Sequence, residues 1–178
     1  MSPTVVAVVE RVFGVLALVA AGVGIGTIVA LVRGRVPDWL RDAALPMAAA
    51  IALVTTAGSL LASIGFGYTP CELCWYQRIA MYPLVVILGV AIVRRDRSVW
   101  HTVVPLTAIG AVLSTWHLVI ERNPALGGPC DPSAPCAVRW VEEFGVLTLP
   151  AMALIAFVAI AALSLAARDH RSVRAPVG

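Results

Sequence analysis

Five stretches without a charged side chain divide this 178-residue sequence: residues 12–32, 43–71, 79–93, 98–120 and 145–167. An apolar layer about 30 Å thick takes roughly 20 helical residues to cross at about 1.5 Å each, so four of the stretches are long enough and 79–93 is short. Counting the third span from Cys74 to Val93 restores its length and draws Arg78 into the edge of the bilayer. With 60% hydrophobic and 13% charged residues and a mean hydropathy of +0.92, the chain is too apolar for a soluble domain, whose charged fraction is about a quarter. The expected fold is an all-α membrane protein of five transmembrane helices.

Arginine supplies all of the basic charge, since the sequence has no lysine. Arg33, Arg35 and Arg41 lie between spans one and two, Arg94, Arg95 and Arg97 between spans three and four, and Arg168, Arg171 and Arg174 after span five. The positive-inside rule puts these three segments in the cytoplasm. By alternation the N-terminus, the segment around Cys71 and the connection carrying Cys130 lie outside, where oxidising conditions favour disulfides. Clustering at span ends, rather than along one helix face, argues against a nucleic-acid partner. The first span could be a signal peptide, but it is long and ends at Leu31-Val32-Arg33-Gly34-Arg35 without a small-residue cleavage pattern, so a retained helix is expected. Gly22 and Gly26 in this span form a GxxxG, which is common by chance in membrane helices.

Two cysteine pairs carry the chemistry. Cys71-Glu72-Leu73-Cys74 has the spacing at which two sulfurs can close a small reducible ring, and Pro70 before it with an apolar run after it suggests a helix start. Unpaired backbone N–H groups there stabilise a thiolate, expected chiefly on Cys74. Arg78, one turn beyond Cys74 on the same face, would stabilise both that thiolate and the charge developing on a quinone oxygen; without the cysteines it would read as an interfacial, snorkelling arginine. His117, near the end of span four, has a similar expected depth and could line the same pocket, binding a quinone carbonyl or relaying a proton. His101 and His170 read as ordinary interfacial residues. In the Pro- and Gly-rich segment 123–136 no regular helix is expected, and a disulfide between Cys130 and Cys136 would close a small loop open to thiolate attack, or serve only as a staple. Arg139 to Phe144 reads as a short amphipathic segment on the membrane surface, able to hold that loop near Cys71.

Cys71-Glu72-Leu73-Cys74-Trp75-Tyr76-Gln77-Arg78, followed by Met81-Tyr82-Pro83, resembles the DsbB/BdbC disulfide-bond formation proteins of bacteria. Trp116-His117, the second cysteine pair and Thr148-Leu149-Pro150 follow in the family's order, and the similarity covers roughly residues 44–167. The resemblance implies a four-helix bundle in the bacterial cytoplasmic membrane that oxidises a DsbA-like thioredoxin-fold partner and passes the electrons to a membrane quinone, ubiquinone or menaquinone. Under it, Cys130 receives the partner's thiolate, Cys136 attacks Cys71, Cys74 lies beside the quinone, and Arg78 and His117 match the family's quinone-associated arginine and histidine. The chain then divides into an extra N-terminal helix and cytoplasmic loop (1–43), the four-helix core (44–167) and a cytoplasmic tail (168–178), with Cys130 and Cys136 spaced as in the shorter BdbC loops.

Energetics agree with that direction. A DsbA-type partner is strongly oxidising, at about −120 mV, and about 30 mV corresponds to about 1.4 kcal/mol for two electrons, so an ordinary disulfide could not reoxidise it without a quinone. Three other readings are weaker. A vitamin-K-epoxide-reductase-like protein usually carries its CxxC after the loop cysteines, whereas here it comes first. A zinc module of four cysteines, with or without His117, would need thiols kept reduced in an oxidising compartment and an unusual C-x₅-C half, so no metal is expected. A small transporter with stapled loops would tolerate loss of Cys74.

Overall fold

The computed structural model describes residues 2–126, 130 and 134–168. Gly127, Gly128, Pro129, Asp131, Pro132, Ser133, His170, Arg171 and Arg174, which enter the sequence reading, lie outside them. Five helices form the molecule: α1 (Pro3–Val32), α2 (Asp38–Leu60), α3 (Glu72–Arg94), α4 (Trp100–Arg122) and α5 (Leu149–Ala167). Each is long and apolar enough to cross a membrane, and the fold is an all-α membrane protein as expected. The one sheet among the described residues is a hairpin of two-residue strands, β1 (Glu142–Glu143) and β2 (Leu147–Thr148).

Charge-free intervals locate the five helices but not their ends, because a charge at the membrane edge does not stop a helix. α1 starts at Pro3 and carries Glu10 and Arg11, with the Glu10 carboxylate accepting a hydrogen bond from Tyr68. α2 runs into a wider π-helical turn, Leu61–Gly65, and stops well short of Cys71, where Gly67 takes a positive φ of 75° and Pro70 follows. α5 begins at Leu149 rather than at 145, because Phe144 and Gly145 both adopt positive φ in the hairpin loop. The amphipathic surface segment expected over Arg139 to Phe144 is replaced by an irregular stretch feeding this hairpin, since left-handed backbone at Phe144 cannot continue a helix.

α5 is the hub, packing against α1, α2 and α4, while α3 packs against α2 and α4. The core is built from Leu84 and Leu88 of α3, Val103 of α4, and Phe157, Ile160 and Leu163 of α5, all fully buried. Gly110 of α4 lets the Phe157 ring reach the helix backbone: a Cβ there would lie 2.3 Å from the ring. Pro46, Pro83 and Pro105 sit inside helices, as neighbouring helices in a membrane bundle allow. α1 packs on α5, and its buried face is made of small residues, Gly14, Ala17, Ala20, Gly24 and Thr27, with Gly14 turned to Glu143 and Phe144 of the hairpin. Gly24 lies against Ala159, whereas Gly22 and Gly26 have nothing within 4 Å of a built Cβ, so the GxxxG faces away from the protein.

The alternation of the helices gathers the Cys71 segment, the Cys130 connection and the hairpin at one end of the bundle. The arginines at positions 33, 35, 41, 94, 95, 97 and 168 collect at the other. There Arg97 pairs with Asp42 at 2.7 Å, and Asp96, held below its usual carboxylate range by hydrogen bonds from the Ser98 hydroxyl and backbone N–H, closes the turn into α4.

Candidate active site

Backbone geometry places the dithiol. Pro70 and an extended Cys71 (φ −72°, ψ 173°) end the incoming loop, so Cys71 becomes the N-cap of α3 and its Sγ accepts from the Cys74 backbone N–H at 3.4 Å. The two sulfurs, both free thiols, lie 3.2 Å apart. The low-pKa sulfur is Cys71, the N-cap, and not Cys74 as expected. The Cys74 thiol donating to the Cys71 thiolate pulls the Cys71 pKa down to about 4. Burial pushes the other way, and His117 and the Cys74 backbone N–H add to the lowering.

His117 is buried at the end of α4 and faces Cys71. Its Nε2 lies 3.0 Å from the Cys136 carbonyl oxygen, which can only accept, so Nε2 carries the proton; the same nitrogen is 3.7 Å from Cys71 Sγ. Nδ1 is then the acceptor, 3.1 Å from Gln77 Nε2. Glu121, one turn on, is buried and accepts from the Thr148 hydroxyl at 2.8 Å. Cys71, Cys74, His117 and Glu121 line one small pocket with Trp140 and Pro150.

Cys130 and Cys136 are joined by a disulfide, with Cys136 buried against Cys71 and Ile120. Trp140 holds this region to the dithiol loop by stacking on Tyr68, ring centres 5.1 Å apart. Tyr68 in turn donates to Glu10 of α1, and burial together with that bond pushes its pKa up to about 12. The sequence reading thus places the loop correctly beside Cys71, held by aromatic stacking rather than by a surface helix.

Arg78 lies on the other wall of the dithiol. Nε donates to Ser59 Oγ and Nη2 to the Ser59 carbonyl oxygen, both at 3.0 Å, and the guanidinium sits 5.1 Å from the Trp75 ring centre. That carbonyl, at the approach to the π-helical turn of α2, also accepts from Ser63 Oγ. Among the described residues no carboxylate pairs with Arg78. With Cys74 and Gln77 it lines a cavity of about 390 Å³, walled mostly by apolar side chains of α1, α2, α3 and α5, with Thr55, Ser63, Tyr68, Thr69 and Trp140 among the rest. Arg78 and His117 therefore do not share one pocket: Arg78 faces the large cavity and His117 the small one, while Gln77, on the wall of the large cavity, reaches His117 through its hydrogen bond to Nδ1. Gln77 and Ser59 are functional candidates that residue-by-residue reading missed; the signal for Gln77 was its place three residues after Cys74 on the same helix face.

The site could also hold a soft metal, since ligand atoms of Cys71, Cys74 and His117 lie within 4.8 Å of one another. Because Cys130 and Cys136 are bonded to each other, the four-cysteine set of a zinc module does not form.

Comparison with known proteins identifies the family. The family described as "Disulfide bond formation protein DsbB" matches residues 41–167. Disulfide bond formation protein C of Bacillus subtilis is 45% identical over 112 residues, 62% of this chain and 81% of that protein. Two proteins named "Probable disulfide formation protein", from Oceanobacillus iheyensis and Metapseudomonas resinovorans, are 44% and 42% identical over 64% of this chain and 81% of their own lengths. No solved structure matches. The chain belongs to the DsbB family and is a disulfide-generating membrane oxidoreductase acting on a thiol–disulfide partner protein.

Proposed function

We propose that this protein reoxidises a DsbA-like thioredoxin-fold partner through its two cysteine pairs and passes the electrons to a membrane quinone, with both pairs outside the cytoplasm, the N-terminus outside and the C-terminus inside. The single observation that carries the reading is the position of Cys74: one wall of the dithiol meets the loop disulfide through Cys71, and the other opens, through Cys74, on a mostly apolar cavity containing an arginine that no carboxylate among the described residues pairs with. In this division residues 44–167 do the redox work and residues 1–43 add α1.

The residues fit a quinone. Mostly apolar walls suit its ring and tail, and Arg78, half-buried and held by Ser59, offers positive charge to a carbonyl oxygen. Bound there, a quinone supplies a sink for two electrons and two protons. The exchange that delivers those electrons uses the protein's own sulfurs. The partner's thiolate attacks Cys130 and forms a mixed disulfide, releasing Cys136 as a thiolate. Cys136, packed on Cys71, attacks the Cys71–Cys74 disulfide; the bond between Cys136 and Cys71 forms as the Cys71–Cys74 bond breaks, and Cys74 leaves as a thiolate on the cavity wall. The partner's second thiol then attacks the mixed disulfide, completing the partner's own disulfide and returning Cys130 as a thiol. Cys130 displaces Cys71 from Cys136 and restores the loop disulfide, and the reduced Cys71/Cys74 pair carries the two electrons. His117 Nε2–H and the α3 terminus hold Cys71 as a thiolate, which favours the reduced pair and makes its disulfide the stronger oxidant.

The test is anaerobic mixing of purified protein with a reduced thioredoxin-fold partner and ubiquinone or menaquinone analogues, following quinone absorbance. The wild type is expected to oxidise the partner and reduce quinone one for one, and Cys74→Ser to do neither while remaining folded. A Cys74→Ser protein that still turns over would refute the mechanism, as would a protein that purifies with stoichiometric zinc and reduces no quinone.

A further inference from the structure

The cavity beside Cys74 is much longer than one ring. Along α2 its lining runs from Ser59 to Met47, twelve residues or about 18 Å of helix. Most of its polar groups, Arg78, Gln77, Ser59 and Tyr68 among them, gather at the cysteine end, Thr55 lies one turn deeper on α2, and the remaining length is lined by Met47, Ile51, Val23, Ala153, Ala156 and Phe157. A ligand that matches this gradient has a polar head and a long hydrocarbon tail.

α1 supplies the side of the cavity that α2, α3 and α5 leave open, through Phe13, Leu16, Ala17, Ala20 and Val23. α1 and α2 meet near the cysteine end, where the Phe13 ring comes within 3.3 Å of a Cβ built on Gly58, and the Glu10–Tyr68 hydrogen bond ties α1 to the loop beyond. Further along, the lining residues are left largely uncovered by the rest of the protein: Leu16 is 41% exposed, Val19 58% and Val54 43%. These residues lie about 4.5–9 Å below the Phe13–Gly58 contact, by helical rise from Phe13 to Leu16 and Val19 and from Gly58 to Val54. The gap between α1 and α2 is thus closed at the head end and open to the hydrocarbon at mid-depth.

Resting on the quinone reading above, we infer that α1 is a working wall of the quinone site, and that the isoprenoid tail leaves the protein between α1 and α2 through the slot framed by Leu16, Val19 and Val54. Phe13 on Gly58 keeps the tail from leaving beside the ring, and the protein is therefore selective for long-tailed quinones seated from the membrane interior.

The test measures equilibrium binding by quenching of tryptophan fluorescence, with full-length protein in lipid nanodiscs, for a tail-free quinone and the same ring bearing an isoprenoid tail. Val19→Phe and Val54→Phe narrow the slot at exposed positions, and Ile25→Phe, on the lipid-facing side of α1 at 63% exposure, is the control. Crowding a packed channel by a ring is expected to weaken tail-bearing quinone about tenfold in each slot variant, with tail-free binding and the control unchanged. Unchanged tail-free binding also certifies that the variants fold. Slot variants that affect both quinones equally, or neither, overturn the role of α1 while leaving the quinone reading in place. A loss of co-purified phospholipid without any change in quinone binding assigns the slot to an acyl chain and overturns it as well. A wild type that binds neither quinone defeats the underlying reading and the inference together.

Discussion

Replacing His117 with alanine removes the Nε2–H donor that lies 3.7 Å from Cys71 Sγ while leaving the helix cap and the Cys74 contacts in place. A hydrogen bond to a charged group is worth about 1.5–3 kcal/mol, and the length of this one argues for the lower end. About 1.5 kcal/mol is about one pKa unit, so Cys71 should rise from about 4 to about 5. The sign follows from linkage: a depressed thiol pKa stabilises the folded, reduced protein fully above the unfolded value, and that stabilisation is lost as the pH falls through about 4. At pH 7 both proteins hold Cys71 as a thiolate, but the variant holds it less firmly, and its disulfide should be a weaker oxidant by about 30 mV. Two assays read the change: ultraviolet thiolate absorbance of the reduced protein against pH, and equilibration of the Cys71/Cys74 pair with a dithiol redox buffer. The potential gap should persist above about pH 5 and close below about pH 4, where both thiols are protonated. A His117→Ala protein with an unmoved titration and an unmoved potential would refute the assignment of His117 to Cys71.

Three further outcomes follow from the same geometry. Arg78→Ala should raise the KM for quinone about tenfold with little effect on thiol exchange among the cysteines, and Arg78→Lys should not restore it, since an ammonium on a flexible stem cannot reproduce the planar two-bond grip on Ser59; both are read by initial rates against quinone concentration. Gly110→Ala should lower stability by about 1–3 kcal/mol in a thermal or denaturant unfolding assay, because its Cβ would overlap the Phe157 ring that joins α4 to α5. In intact cells, an impermeant thiol reagent should label a cysteine introduced at Phe144, in the hairpin loop, and fail to label one introduced at Ser98, at the arginine end; the reverse pattern would invert the proposed topology.

The sequence revealed the fold through its charges and the reaction through its cysteines, and it lost detail wherever helix rotation decides. Five charge-free intervals give five helices, and Cys71, Cys74 and Arg78 read correctly as one helix start with an arginine a turn beyond. Which sulfur caps α3 depends on whether the helix begins at Glu72 or a few residues later, a choice made by the extended backbone at Pro70–Cys71 rather than by composition. His117 was legible as a polar residue near the end of span four that carries Glu121 and Arg122, though not as a buried one. Its direction, toward Cys71 rather than toward Arg78, is set by how α4 rolls against α5, and that roll is fixed by Phe157 seating on Gly110. Ser59 could not be found from sequence, because its role depends on the geometry at the end of α2 and on an arginine nineteen positions away.

Ala159 answers to two helices at once: it belongs to the hub helix α5, and its Cα and Cβ are within 3.2 Å of where a methyl on Gly24 would stand. Enlarging either partner by one carbon would press α1 away from α5 by a few tenths of an ångström, and α1 is also a wall of the large cavity. Drift at this quiet contact, remote from every sulfur, is therefore a route by which descendants of the protein could retune which lipophilic oxidants gain admission while keeping their cysteines untouched.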